Sequence, residues 1–166
     1  AGPFLGLLVV IALFSIPGET REFFLTYHNF KTIFTQTVIV AIGALGMTMI
    51  IVSGGIDLSV GSSIALTSVV GALMIQAGWG TAPAVLAMIG SGGLIGLLNG
   101  AAIAGLRMTP FIITLGTLGV ARGTAKWLAN NQTVNYDASP VNGWMTTADP
   151  FGYALPTGVW VALGLA

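Results

Sequence analysis

Long apolar runs alternate with short polar segments along this chain, and the runs have the length of membrane-crossing helices. A crossing needs about 20 apolar residues at 1.5 Å each. Residues 4–16 form a first, short run. A polar stretch over 17–31 follows, with Glu19, Arg21, Glu22, His28 and several aromatics. Residues 33–52 then supply 20 positions without a charge. The third run, 62–77, has 16 residues, or roughly 24 Å of helix. It falls short unless Gly78-Trp79-Gly80 or residues 58–61 add depth, and the second choice draws Asp57 toward the hydrocarbon edge. A fourth run covers 82–106 and ends at Arg107. Thr109-Pro110 reads as a helix start, Thr as N-cap and Pro at the first helical position, so a fifth span is expected from 111 to about 128. A polar loop is expected over about 129–154, and a sixth span from Pro156. The pattern predicts an all-α, polytopic membrane protein with about five transmembrane helices and the start of a sixth. It also predicts a broken helix around 53–62 and a single transmembrane domain over 1–166. The chain opens and stops inside apolar runs, as a fragment truncated at both ends would.

Composition reinforces the pattern. Of 166 residues 55% are hydrophobic and 6% charged, and the mean hydropathy is +0.93. A soluble domain carries about 25% charged residues; ten charged side chains cannot solvate a protein of this size, so lipid must cover it. A formal net charge of zero excludes a nucleic-acid footprint. With no cysteine and one histidine, His28, no thiolate or multi-imidazole metal site can form. No catalytic constellation is present, and no G-x-x-x-x-G-K-[ST] loop for ATP. Glycine, at 24 residues, suits closely packed membrane helices.

Charges orient the chain weakly. Arg107 falls on one side, and Arg21, Lys31 and Lys126 on the other. Taken literally, this count puts the long-loop side in the cytoplasm. All four tryptophans (Trp79, Trp127, Trp144 and Trp160) fall on the long-loop side.

The segment 54–61 carries the most chemistry. Gly54 and Gly55 end one helix, Asp57 and Ser59 follow, and Gly61 precedes a helix capped by Ser59 or Ser62. Broken helices in membranes are tolerated where they line a cavity or are buried in protein. An intramembrane carboxylate is a functional candidate; alternatively Asp57 caps the helix that follows. Arg122 lies near the midplane if the fifth helix starts at 111, so it should face an aqueous path or a partner, or the span breaks near Gly123. Lys126, four residues on, would snorkel to the interface. Gly92, Gly96 and Gly100 put a small-residue stripe on the fourth run, a packing feature. Asn99 beside it could hydrogen-bond across helices. Thr114 and Thr117 could line a polar path or bond back to their own helix. Asp57, Ser59, Asn99, Thr114 and Arg122 are therefore the solute-path candidates, and Gly54, Gly55 and Gly61 the helix-break motif.

Gly-Met-Thr at 46–48, followed by Ser53-Gly-Gly-Ile-Asp-Leu-Ser-Val-Gly-Ser62, resembles the signature of bacterial sugar permeases of the ribose, xylose and galactofuranose type. These are membrane subunits of ATP-binding-cassette importers. The resemblance continues through Gly96-Leu-Leu-Asn-Gly100, Pro110-Phe-Ile-Ile-Thr-Leu-Gly-Thr117, Arg122-Gly123 and Leu155-Pro-Thr-Gly-Val-Trp160, over essentially the whole chain. It implies a multi-pass protein of the bacterial inner membrane, translocating a monosaccharide by alternating access. It implies a second permease subunit (identical or different), a cytoplasmic ATPase holding ATP and Mg, a periplasmic sugar-binding protein, and no cofactor in this chain. It also implies a cytoplasmic amino terminus, against the charge count, which places the long loop in the periplasm and Arg107 in the cytoplasm. The ATPase-docking loop of such permeases follows the sixth span, beyond this chain, so the chain alone is not expected to couple ATP hydrolysis to transport. Two alternatives remain: a related permease for branched-chain amino acids or another small solute, and an ion-coupled secondary transporter using Asp57.

Overall fold

Apolar periodicity, glycine caps and a proline start divide the described residues into six helices. The computed structural model describes residues 2–16, 18–135 and 164. The helices are α1 (Gly2–Ser15), α2 (Gly18–Phe24), α3 (Tyr27–Val52), α4 (Val60–Gln76), α5 (Thr81–Leu106) and α6 (Pro110–Leu128). Among the described residues there is no strand. Two compact units divide the chain, Ala1–Ile42 with Trp144–Ala166 and Gly43–Gly143, and the division falls within α3.

In the first unit, the Phe24 ring stands 5.7 Å from Phe14 and 6.5 Å from Phe30. The polar stretch 17–31 is more helical than its composition suggested. It contains α2 and the first turn of α3, which starts six residues before the apolar run. Thr26 explains the early start. Its hydroxyl accepts the Asn29 N–H at 3.2 Å, the N-cap bond that satisfies one orphan donor of a helix end.

The second unit holds the tail of α3 and the three helices α4, α5 and α6. α4 packs on both α5 and α6. Leu58, just before α4, meets Thr114 near the start of α6, and Gln76 at the end of α4 donates to the Asn135 carbonyl beyond α6. These two helices therefore run parallel, with α5 antiparallel to both. Close approach of α4 and α5 depends on Gly71, where a Cβ would collide with Met88 Sδ and Cγ. The sequence reading did not single out that glycine.

Helix ends follow from local chemistry. α3 closes with Gly54 N–H to Ile51 O at 2.9 Å and Gly55 N–H to Ile50 O at 3.0 Å, with Gly54 at φ +82°. This is the Schellman pattern, whose left-handed residue glycine accepts without a Cβ clash. Thr109 is extended at the N-cap of α6 with Pro110 first in the helix, as the dipeptide predicted, although its hydroxyl makes no capping bond. α6 runs unbroken through Gly123.

By length and composition α3 and α5, each of 26 residues, are long and apolar enough to cross a membrane. Their most apolar windows are only 6% buried, whereas a core helix of a soluble domain is mostly buried. Leu86, Ile89, Leu94, Leu97 and Leu98 of α5 point outward, more than half exposed. Such a continuous apolar surface calls for lipid or protein to cover it. α1 and α4 are shorter apolar helices. The expected loop beyond residue 135, Trp144, Trp160 and the sixth span lie outside the described residues.

Candidate functional site

α4 has 17 residues, about 25 Å of helix. The segment between α3 and α4, residues 53–59, brings Ser53, Asp57 and Ser59 ahead of the start of α4. Asp57 Oδ1 accepts two bonds from Ser59, from its backbone N–H at 2.7 Å and its hydroxyl at 2.6 Å. Ser59 stands at the N-cap of α4, yet its hydroxyl makes no cap bond: it donates to the Asp57 carboxylate, its oxygen accepts from Asn99, and its backbone is already right-handed helical. Asp57 thus organises the turn ahead of the helix, as Asx side chains do, and does not reach the N–H groups inside α4. Ser62 donates to the Ser59 carbonyl at 2.7 Å.

The other helices complete this cluster. Asn99 of α5 donates through Nδ2 to Ser59 Oγ at 3.1 Å, and its Oδ1 accepts the Thr117 hydroxyl of α6 at 2.5 Å. Thr114, one turn before Thr117, accepts the Leu58 N–H at 3.1 Å, and its hydroxyl faces the Ile56 carbonyl at 3.2 Å. One side chain from each of α5 and α6 therefore ties down the backbone or side chains of the broken segment. Burial is nearly complete: Ser59 is 1% exposed, Thr114 2% and Asn99 6%. A buried polar group without a partner costs about 1–3 kcal/mol, and these groups find theirs in one another. Gly55 lets the segment pass close by, since a Cβ there would sit 3.3 Å from the Ile50 Cγ2.

Two cavities flank the segment. One of about 480 Å³ is lined by Asp57, Ser59, Thr67, Gly92, Gly96 and Asn99, among others. The other, of about 370 Å³, is lined by Gly54, Gly55, Asp57, Gly96, Asn99, Gly100 and Thr114, among others. Asp57, Gly96 and Asn99 line both. The stripe read from sequence as helix packing behaves differently along its length. A Cβ on Gly92 would touch Thr67 Cγ2 at 3.4 Å, while a Cβ on Gly96 or Gly100 would meet nothing within 4 Å. Within this chain those two glycines border cavity space. A Cβ on Gly61 would likewise meet open space.

Of the solute-path candidates, Asp57, Ser59, Asn99 and Thr114 come together and Arg122 stands apart. α6 has 19 residues, and Arg122 lies about 9 Å from its C-terminal end and about 18 Å from its start. It is nearer the long-loop end than a midplane position, and with Lys126 it lines a third cavity of about 510 Å³. Thr117 was a path candidate only in passing, and its bond to Asn99 makes it the outer member of the cluster.

Outward apolar helices beside a buried polar break flanked by cavities are features of a helical membrane protein. The chain belongs to the family described as branched-chain amino acid transport system / permease component, which matches residues 29–165. It is 36% identical over 158 residues to the ribose import permease protein RbsC of Escherichia coli (strain K12), covering 93% of this chain and 49% of that protein. It is 36% identical over 136 residues to the D-allose transport system permease protein AlsC of the same strain, covering 80% of this chain and 40% of that protein. The autoinducer 2 import system permease protein LsrC of Salmonella paratyphi B (strain ATCC BAA-1250 / SPB7) is 34% identical over 117 residues, 70% of this chain and 34% of that protein. The chain spans about half the length of the ribose import permeases it matches. No solved structure matches it.

Proposed function

We propose that this chain forms the amino-terminal half of a permease subunit in an ATP-binding-cassette importer, carrying a neutral sugar across the bacterial inner membrane. The observation that carries this reading is the match over 93% of the chain to a ribose import permease. The buried cluster supports it. The two cavities beside the break are lined by uncharged groups apart from Asp57, whose carboxylate is already engaged by Ser59, and such walls suit a neutral solute. In this reading the single domain has five spans and the start of a sixth, with its amino terminus in the cytoplasm. Helix rocking driven by a cytoplasmic ATPase opens the path alternately to either side, and a periplasmic binding protein delivers the sugar. ATP and Mg belong to the ATPase, and a second permease subunit completes the channel.

The test is uptake by the complete permease, reconstituted in proteoliposomes with its ATPase and binding protein, comparing lumenal ATP with ADP and imposing no ion gradient. Accumulation that requires both ATP and the binding protein is the expected result. Uptake indifferent to ATP and restored by a proton or sodium gradient would overturn it in favour of ion coupling at Asp57. A branched-chain amino acid carried in place of the sugar would keep the importer and replace its solute.

A further inference from the structure

The third cavity has a chemistry that a neutral solute does not use. It lies between α4 and the C-terminal half of α6, and its polar walls are Ser62, Arg122, Lys126, Asn131, Gln132 and Thr133. Among the described residues neither Arg122 nor Lys126 is ion-paired. Asp57, the carboxylate ahead of α4, is bonded to Ser59 and lines the two other cavities. Two like charges one turn apart on a helix repel each other, and cations at membrane depth pair with something or face water.

The helix end answers only part of that demand. Lys126 sits in the last turn of α6, where a cation is favoured by the helix dipole. The last turn is, however, already closed by its own chain: Asn130 N–H bonds Trp127 O at 3.1 Å and Asn131 N–H bonds Lys126 O at 2.8 Å, with Asn130 at φ +50°. Arg122 lies one turn deeper, where the dipole does little. At about 9 Å from the helix end its guanidinium is within reach of the headgroup layer. The arrangement is a forked donor and an ammonium lining one concavity, with amide and hydroxyl groups of Asn131, Gln132 and Thr133 around it. Guanidinium forks and lysines are the groups that bind phosphate oxygens.

We propose that this cavity binds a net-anionic phosphate group, held between Arg122 and Lys126 and supplied either by an anionic phospholipid headgroup or by free phosphate. Occupancy places a negative charge between the two cations and fastens the C-terminal end of α6 to α4.

The test is made on the complete permease assembly in nanodiscs and by native mass spectrometry, with phosphatidylglycerol, phosphatidylcholine and inorganic phosphate as separate probes. Phosphatidylcholine carries a choline cation that the two basic residues repel. The expected result is a preference for phosphatidylglycerol of about thirtyfold, each basic residue contributing about fivefold. Arg122→Gln and Lys126→Gln should each remove about one fivefold step, and Arg122→Lys should keep most of the preference. If millimolar inorganic phosphate displaces the lipid and by itself raises the unfolding temperature of the wild type but not of the double Gln variant, free phosphate is the occupant and the site stands. Equal retention of the two lipids with no effect of phosphate overturns the proposal. So does a lipid preference that survives in the double variant. Lys126→Gln, at an exposed helix end, keeps the test decisive should Arg122→Gln fail to assemble.

Discussion

The two ends of the α4–α6 pair solve the same problem in opposite ways. At the end where both helices begin, the polar groups are uncharged apart from Asp57, nearly fully buried, and satisfied within the chain through Asn99, Thr114 and Thr117. At the other end two cations line an open cavity, unpaired among the described residues. Hydrogen-bond demand placed among neutral groups can be met by neighbouring helices, because each donor needs only an acceptor within reach. Charge placed at similar depth needs countercharge, and these helices carry none there. One end is thereby built for rigidity and the other for a visitor.

The sharpest way to break this contrast is Asn99→Leu in the complete permease. It removes the Asn99 bonds to Ser59 and Thr117, whose hydroxyls keep Asp57 and the Ile113 carbonyl as partners, and a loss of about 2 kcal/mol is expected, read as a lower unfolding temperature with reduced uptake. Next comes Gly54→Ala. At φ +82° an added Cβ costs about 1–2 kcal/mol, and thermal unfolding of the purified assembly measures it. Thr114→Val, which orphans the Leu58 N–H, should cost about 1 kcal/mol, with Thr114→Ser restoring it. Smaller still is Asp57→Asn: an amide oxygen can still accept from Ser59, so the loss should stay below about 1 kcal/mol with ATP-driven uptake retained. A variant that keeps solute exchange but loses ion-driven accumulation would make Asp57 a coupling residue. Gly96→Ala has open space around it and should change stability by no more than about 0.5 kcal/mol. Reduced uptake at unchanged stability would show that the cavity beside it carries solute.

Much of the fold was legible where the signal is local. Gly54-Gly55 ended a helix and Thr109-Pro110 began one because caps depend on a few adjacent residues. The start of α3 was misplaced from the apolar pattern alone, since His28, Asn29 and Lys31 interrupt it. Thr26 with Asn29 three residues on was the capping signal available in the sequence. The site was legible as residue types but not as partners. Asn99 and Ser59 are 40 positions apart, and Thr114 and Leu58 56, so their pairing depends on how three helices converge. The glycine stripe is a related case. Spacing identifies a smooth face, but only the neighbouring helices decide whether that face is pressed against a side chain, as at Gly92, or opens on space, as at Gly96.

The distance in sequence between the broken segment and its partners also sets an order of events during synthesis. Leu58 leaves the ribosome 56 residues ahead of Thr114. At 5–20 residues per second this is an interval of roughly 3 to 11 s in which the segment exists without its clamp. Hydrocarbon costs each bare amide several kcal/mol, so over that interval the segment needs water or another protein to satisfy it until α6 is made.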